Sequence, residues 1–205
     1  LAACRSNGAL LIFDEVITGF RLASGGAQQL FGVIPDLSIL AKAMANGFPA
    51  AAIVGRADLL DRFVTDGVLH GGTFNAQLVS MAALVATQRA LTPQLYESAG
   101  ARGQKLQDGL RQVLAEAGIT AQVIGFPLAF HIAFGLEEPA KNYRDLARAD
   151  KRSYGLFAHA MLGRGVRVLE RGAWLVSSAH DDDVIDQTLE AARGAALETA
   201  ARMRA

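Results

Sequence analysis

A single cysteine, Cys4, stands among the 205 residues. No disulfide can form within the chain, which fits a reducing compartment. Neither sign of charge is in excess: 20 Lys and Arg balance 20 Asp and Glu, for a formal net charge of zero. With no strongly basic segment, neither nucleic acid nor an anionic membrane surface is implied as a partner. No uninterrupted apolar run is long enough to span a bilayer, and no secretory leader is visible. The four histidines, His70, His131, His159 and His180, lack metal-ligand spacing and read as structural. Glycine-rich phosphate loops of the GxGxxG or GxxxxGK[ST] type are also missing. These absences imply a soluble, cytoplasmic protein without a metal site.

About half of the residues, 51%, are apolar, which is enough to build a sizeable core in one large domain or one and a half. The first half alternates short apolar runs with helical patterns. Residues 9–13 (ALLIF), 37–41 and 50–54 read as strands, the first of them buried on both faces. Short helices are expected within 22–34 and 56–64, and a longer one over 76–90. Thr92 followed by Pro93 is a helix start, an N-cap and then proline at the first helical position. Leu95, Ala99, Leu106, Leu110, Val113 and Leu114 form its apolar stripe, and Gly118 ends it. Two strands around Gly125 and Pro127, a helix over about 144–163, and short strands near 166–169 and 173–178 follow. Asp181 caps a last helix whose buried stripe is Val184, Ile185, Leu189, Ala192 and Leu197. The shift from α/β to α+β character near residue 93 sets the expected boundary between domains 1–92 and 93–205. The opening LAACRSNG reads as the last turns of a helix, so the chain is expected to be part of a longer protein.

Two residues stand out. Asp14 ends the first apolar run in GALLIFDEVITGFR (8–21), and Lys42 follows the second in PDLSILAKAMANGFP (35–49). At the carboxyl ends of strands in an α/β sheet, an acid and a lysine can face one crevice. Pyridoxal-phosphate (PLP) chemistry needs such a pair, an amine to hold the aldehyde and a carboxylate to keep the pyridine nitrogen protonated. Lys42 is the only lysine in the first half, whereas Lys105, Lys141 and Lys151 lie on polar patterns. Thr73, in the glycine-containing turn HGGTFN (70–75), could offer a hydroxyl and an N–H to a phosphate. Taken singly, each also suits a structural role: Asp14 as a helix cap or ion-pair partner, Lys42 as a snorkelling core lysine, Thr73 as part of an ordinary turn. RGVRVLERG (164–172) is locally basic and could bind a carboxylate, or be a solvated loop.

The segments LLIFDEVITGFR, GGAQQLFGVIPDLSILAKAMANGFP and HGGTFN, in this order and spacing, resemble the class III aminotransferases. These are fold-type I PLP enzymes that include glutamate-1-semialdehyde aminomutase. RGVRVLERGAWLVSSAHDDDVIDQTLEAA resembles the family's small domain. The resemblance implies the later part of a large α/β PLP-binding domain followed by a C-terminal α+β small domain. It also implies roles. Asp14 would pair with the pyridine nitrogen, Val16 would pack on a ring face, and Lys42 would form the Schiff base and then move the substrate proton. Thr73 would bind the cofactor phosphate of the neighbouring subunit in a homodimer. A small-molecule amino donor and a carbonyl acceptor are the implied partners.

The family often carries an arginine soon after a glycine of the late small-domain loop. Here Gly172 is followed by Ala173, Trp174, Leu175 and Val176. That absence and GGAQQLFGVIPDL lean toward intramolecular amino transfer of the aminomutase type. AMANGFPAAAIVG departs from the glycine-rich stretch expected there, and aminotransferase remains the primary reading. A competing class is an ATPase, because LLIFDE also has the form of a Walker B strand with a magnesium-binding Asp and a water-activating Glu. The resemblance further implies an upstream half that supplies a phosphate loop and a ring-stacking aromatic residue. The 205-residue chain by itself is therefore expected to retain PLP poorly in equilibrium dialysis. Tight stoichiometric retention would contradict this.

Overall fold

The computed structural model describes residues 1–204. Contacts divide the chain into two units, Leu1–Tyr96 and Glu97–Ala205, and each builds its own three-stranded sheet.

In the first unit, α1 (Ala2–Ser6) leads to β1 (Ile12–Glu15), α2 (Gly26–Phe31) and β2 (Leu37–Leu40). A 3-10 turn (Lys42–Ala45), β3 (Ala52–Gly55), α3 (Ala57–Leu60), α4 (Arg62–Thr65) and α5 (Leu78–Ala90) follow. The strand order is β1-β2-β3. β1 and β2 are parallel, with Ile12 opposite Leu37, Asp14 opposite Ile39 and Glu15 opposite Leu40. β3 returns antiparallel to β2. Asp36 fastens the start of the sheet: its carboxylate accepts the Leu11 N–H at 2.7 Å and an Arg56 guanidinium N–H at 2.8 Å. Those two bonds hold its carboxyl below the usual carboxylate range.

Alternation puts Ile12, Asp14, Ile39 and Ile53 on one face of this sheet. That face is open, with Ile12 50%, Ile39 36% and Ile53 45% exposed. The other face carries Glu15 and Ser38, both buried.

The second unit holds most of α6 (Pro93–Glu116), then β4 (Ala121–Phe126), β5 (Ala129–Phe134), α7 (Tyr143–Leu146), α8 (Lys151–Leu162), β6 (Ala173–Leu175) and α9 (Asp182–Arg204). The sheet order β4-β5-β6 is antiparallel throughout. Its core holds an aromatic cluster among aliphatic side chains. Phe130 stacks on Trp174 with centroids 5.7 Å apart, and Phe134 meets Tyr154 edge-on at 5.4 Å. The buried Trp174 indole N–H donates to the Tyr154 hydroxyl at 2.9 Å. α9 buries an alanine face, Ala191, Ala192, Ala195, Ala196 and Ala200, which lets neighbouring backbone approach closely. Gly103 does the same on α6, since a Cβ there would fall 2.2 Å from the Pro127 carbonyl oxygen.

Several sequence expectations hold. Thr92 Oγ1 accepts the Leu95 N–H and Asp181 Oδ1 accepts the Val184 N–H, so both caps form. Others are corrected. β1 starts later than residues 9–13 and is open on one face rather than buried on both. The helix expected over 144–163 is broken into α7 and α8. Asp150 interrupts it: its N–H donates to the Phe134 carbonyl, and its Oδ1 accepts the Ser153 N–H as a new N-cap. The expected helix over 56–64 is likewise two short turns. Residues 166–169 form no strand. Leu197, expected in the buried stripe of α9, is 58% exposed, because the alanines take the inner face.

Burial raises the Tyr154 phenol from 10.0 to about 12, partly opposed by the Trp174 bond. The proton on Tyr154 therefore contributes stability that is fully present below pH 10 and is lost as pH rises to about 12. Tyr154→Phe should remove that alkaline loss. It should also cost about 1–3 kcal/mol at neutral pH, because the Trp174 N–H is left buried without an acceptor. Chemical unfolding of both proteins in pH steps checks both effects.

Candidate active site

The register of β1 and β2 determines where the first candidates sit. Glu15 lies opposite Leu40, so the two parallel strands end at one edge of the sheet. Asp14 is the penultimate residue of β1, and Lys42 comes two residues after β2. Ligands in open α/β sheets bind at such carboxyl edges. Both side chains are exposed.

Lys42 opens the 3-10 turn in a left-handed backbone conformation, φ +49°. A non-glycine residue there costs about 1–3 kcal/mol and persists only where the surroundings impose it. The anchors are visible. Met44 and Ala45 are buried, the Met44 N–H donates to the Ala41 carbonyl at 3.1 Å, and the Gln88 amide of α5 donates to the Met44 carbonyl at 3.1 Å. Asn46 closes the turn, also left-handed at φ +47°. The turn is held by its buried residues while Lys42 faces outward.

Asp14 Oδ1 accepts the Val16 N–H at 3.0 Å, a local side-chain turn. Its Oδ2 has no hydrogen-bond partner among the described residues, and neither Asp14 nor Lys42 joins an ion pair among them. Val16 is half-buried just past the strand. Thr73 lies in an exposed turn, where the Gly72 carbonyl accepts the Asn75 N–H at 3.0 Å. The strand register thus brings Asp14, Val16 and Lys42 to one edge of the sheet, and Thr73 lies in the exposed turn before α5.

Glu15 was singled out only in the ATPase reading, and the structure gives it a different place. It is 1% exposed and its carboxylate is fully engaged. Oε2 accepts the Thr18 hydroxyl at 2.9 Å and the Ala27 N–H at 2.7 Å, and Oε1 accepts the Gln28 N–H at 2.9 Å. Gly26, at φ +68°, leaves the room: a Cβ there would fall 2.2 Å from Oε2. Nearby, the Tyr96 hydroxyl donates to the carbonyl of Phe20 at 2.8 Å, holding that residue at φ +59°.

In the second unit, a cavity of about 570 Å³ is lined by His131, Tyr143, Asp150, Lys151, Tyr154 and Arg171 among others, and by none of the four candidates. Burial pushes the His131 imidazole below its ordinary value. Arg171, in the locally basic stretch, lines this cavity and Arg164 pairs with Glu198 at 2.9 Å.

The aminotransferase class-III family model matches residues 1–192. The chain belongs to the class-III aminotransferases. A glutamate-1-semialdehyde 2,1-aminomutase of Methanocaldococcus jannaschii is 39% identical over 90% of this chain and 44% of its own length. A protein of the same name from an Anaeromyxobacter species is 40% identical over 98% of the chain and 47% of its own. Among solved structures, an omega-transaminase from Sphaerobacter thermophilus superposes with a TM-score of 0.89 at 34% identity. It covers 98% of this chain and 46% of that one. A transaminase with PLP bound gives a TM-score of 0.87 at 28% identity over 98% of this chain and 47% of that one. The chain spans about half the length of the curated relatives it matches. Membership of the class-III aminotransferases, with the α/β fold of PLP-dependent transaminases, decides against the Walker B reading of LLIFDE.

The donor set suits the family's cofactor. An exposed carboxylate with one uncommitted oxygen and an exposed primary amine flank one sheet edge. These are an acceptor for a ring N–H and an amine for an aldehyde.

Proposed function

We propose that the complete protein carrying this chain is a PLP-dependent aminotransferase. It moves an amino group between an amine or amino acid and a carbonyl compound. The observation that carries the reading is the pairing of Asp14 and Lys42 at adjacent parallel strand ends within a class-III aminotransferase match over residues 1–192. When bound, PLP supplies an electron sink for the substrate carbanion.

The residues of this chain do the rest. Lys42 Nζ would hold the cofactor's aldehyde carbon, and as a free amine the same nitrogen would take up and return the substrate proton. Asp14 Oδ2 holds a proton on the ring nitrogen while Oδ1 stays on the Val16 N–H. Val16 packs on a ring face. Thr73, exposed in its glycine turn, contacts the cofactor phosphate of a second copy, which makes the working unit a homodimer with shared sites. Residues 1–92 form the later part of the large domain and 93–205 the small domain. The cytoplasm is the proposed location, supported by the single cysteine.

A second reading, intramolecular amino transfer, is supported by relatives 39% and 40% identical that are named as aminomutases. It predicts turnover of glutamate-1-semialdehyde with no second carbonyl compound present. The aminotransferase reading predicts that such a compound is required.

Borohydride reduction of the PLP-loaded complete protein, followed by digestion and mass spectrometry, should find a pyridoxyl group on the peptide containing Lys42. Its absence from folded protein in excess PLP would overturn the reading. Lys42→Ala should lower kcat by about 100- to 10,000-fold, the usual span for a proton-transfer group. Asp14→Asn should lower it about 10- to 100-fold, from losing a charge-assisted bond of roughly 1.5–3 kcal/mol. Steady-state kinetics on folded variants checks both.

A further inference from the structure

We propose that Glu15 is a positioning residue for Asp14: its buried carboxylate fixes the strand-to-helix turn that sets the direction of the Asp14 side chain. The proposal rests on the role of Asp14 given above.

Asp14 and Glu15 are neighbours on β1, so their side chains leave on opposite faces of the sheet. Asp14 is exposed and Glu15 is 1% exposed. Burying a carboxylate is costly unless its charge is met. Among the described residues no ion pair involves Glu15. The Thr18 hydroxyl and the N–H groups of Ala27 and Gln28 meet it instead. Both oxygens are therefore used to tie the end of β1 to the turn at Thr18 and to the start of α2.

The peptide unit joining Glu15 to Val16 transmits this constraint to Asp14. Its carbonyl accepts the Gly19 N–H at 2.9 Å, and its N–H donates to Asp14 Oδ1 at 3.0 Å. Rotating that one plane breaks both bonds, so the turn and the Asp14 carboxylate move together. There is no slack for adjustment. A Cβ at Gly26 would fall 2.2 Å from Glu15 Oε2, and one at Gly19 would fall 2.7 Å from the Glu15 carbonyl oxygen. A turn that merely closed the chain could use a short neutral side chain with far less desolvation. A carboxylate that spans two amides and a hydroxyl fixes the orientation as well.

The test uses the PLP-loaded complete protein. Glu15→Gln keeps the shape but turns an amide NH₂ toward one of the three donors. Hydrogen exchange at whichever of the Ala27 and Gln28 amides faces the new NH₂ should quicken at least tenfold. The pH profile of the bound cofactor's absorption should shift in the same direction as in Asp14→Asn, and kcat should fall about tenfold with KM within about twofold. In the Asp14→Asn/Glu15→Gln double variant, neither the spectrum nor kcat should change beyond Asp14→Asn alone, because groups acting in series are not additive. Additive losses, or a folded Glu15→Gln protein with the parent spectrum and kcat, would overturn the proposal. Should Glu15→Gln not fold, Thr18→Val removes one of the bonds. It should then show a loss of about threefold that vanishes on the Asp14→Asn background; additivity there overturns the proposal equally. Failure of the cofactor reading shows separately, as no borohydride adduct on Lys42 in the unsubstituted protein, and it takes this proposal with it.

Discussion

The parallel pairing of β1 with β2 is the constraint on which the site depends. Asp14 and Lys42 are far apart along the chain, and nothing local joins them. Parallel strands in this register end at the same edge, so an acid near the end of one and a lysine just past the other become neighbours by topology. An antiparallel pairing would have sent Lys42 to the far end of the sheet. The intervening segment through α2 makes the parallel arrangement possible, since such strands cannot be joined by a tight turn.

Backbone strain is concentrated in the same unit. Among the described residues, the non-glycine positions with left-handed φ are Phe20, Lys42, Asn46 and Ala76, and all lie in Leu1–Tyr96. Each costs about 1–3 kcal/mol and must be imposed by its surroundings. For Lys42 the surroundings are Met44, Ala45 and the Gln88 amide. For Phe20 they include the Tyr96 hydroxyl. The second unit has a different economy, an aromatic cluster in its sheet core and an alanine-faced helix with left-handed φ among its described residues only at glycines.

Much of this was legible from the residues. Apolar runs located all three strands of the first sheet to within a few positions, and Thr92-Pro93 and Asp181 located two helix starts to the residue. Cap chemistry is local, so it can be read locally. The break at Asp150 was missed because it depends on a bond from Asp150 to the Phe134 carbonyl of a strand well upstream. Leu197 was misassigned because helical periodicity ranks leucine above alanine, whereas close packing here selects the smaller side chain. Asp14 and Lys42 were legible as a pair. The structural work of Glu15 was not, because it involves amides on α2 that only the folded turn brings within reach.

The sheet face that carries Asp14 also carries Ile12, Ile39 and Ile53, each at least 36% exposed. β1 lies at the rim of that sheet, with one side of its backbone unpaired by another strand among the described residues. An apolar face beside an open strand edge is the arrangement that recruits foreign strands and seeds aggregates. A preparation of this chain alone would thus be colloidally fragile at concentrations where its fold is intact. Solubility, rather than unfolding, would then set the upper limit on working with it in isolation.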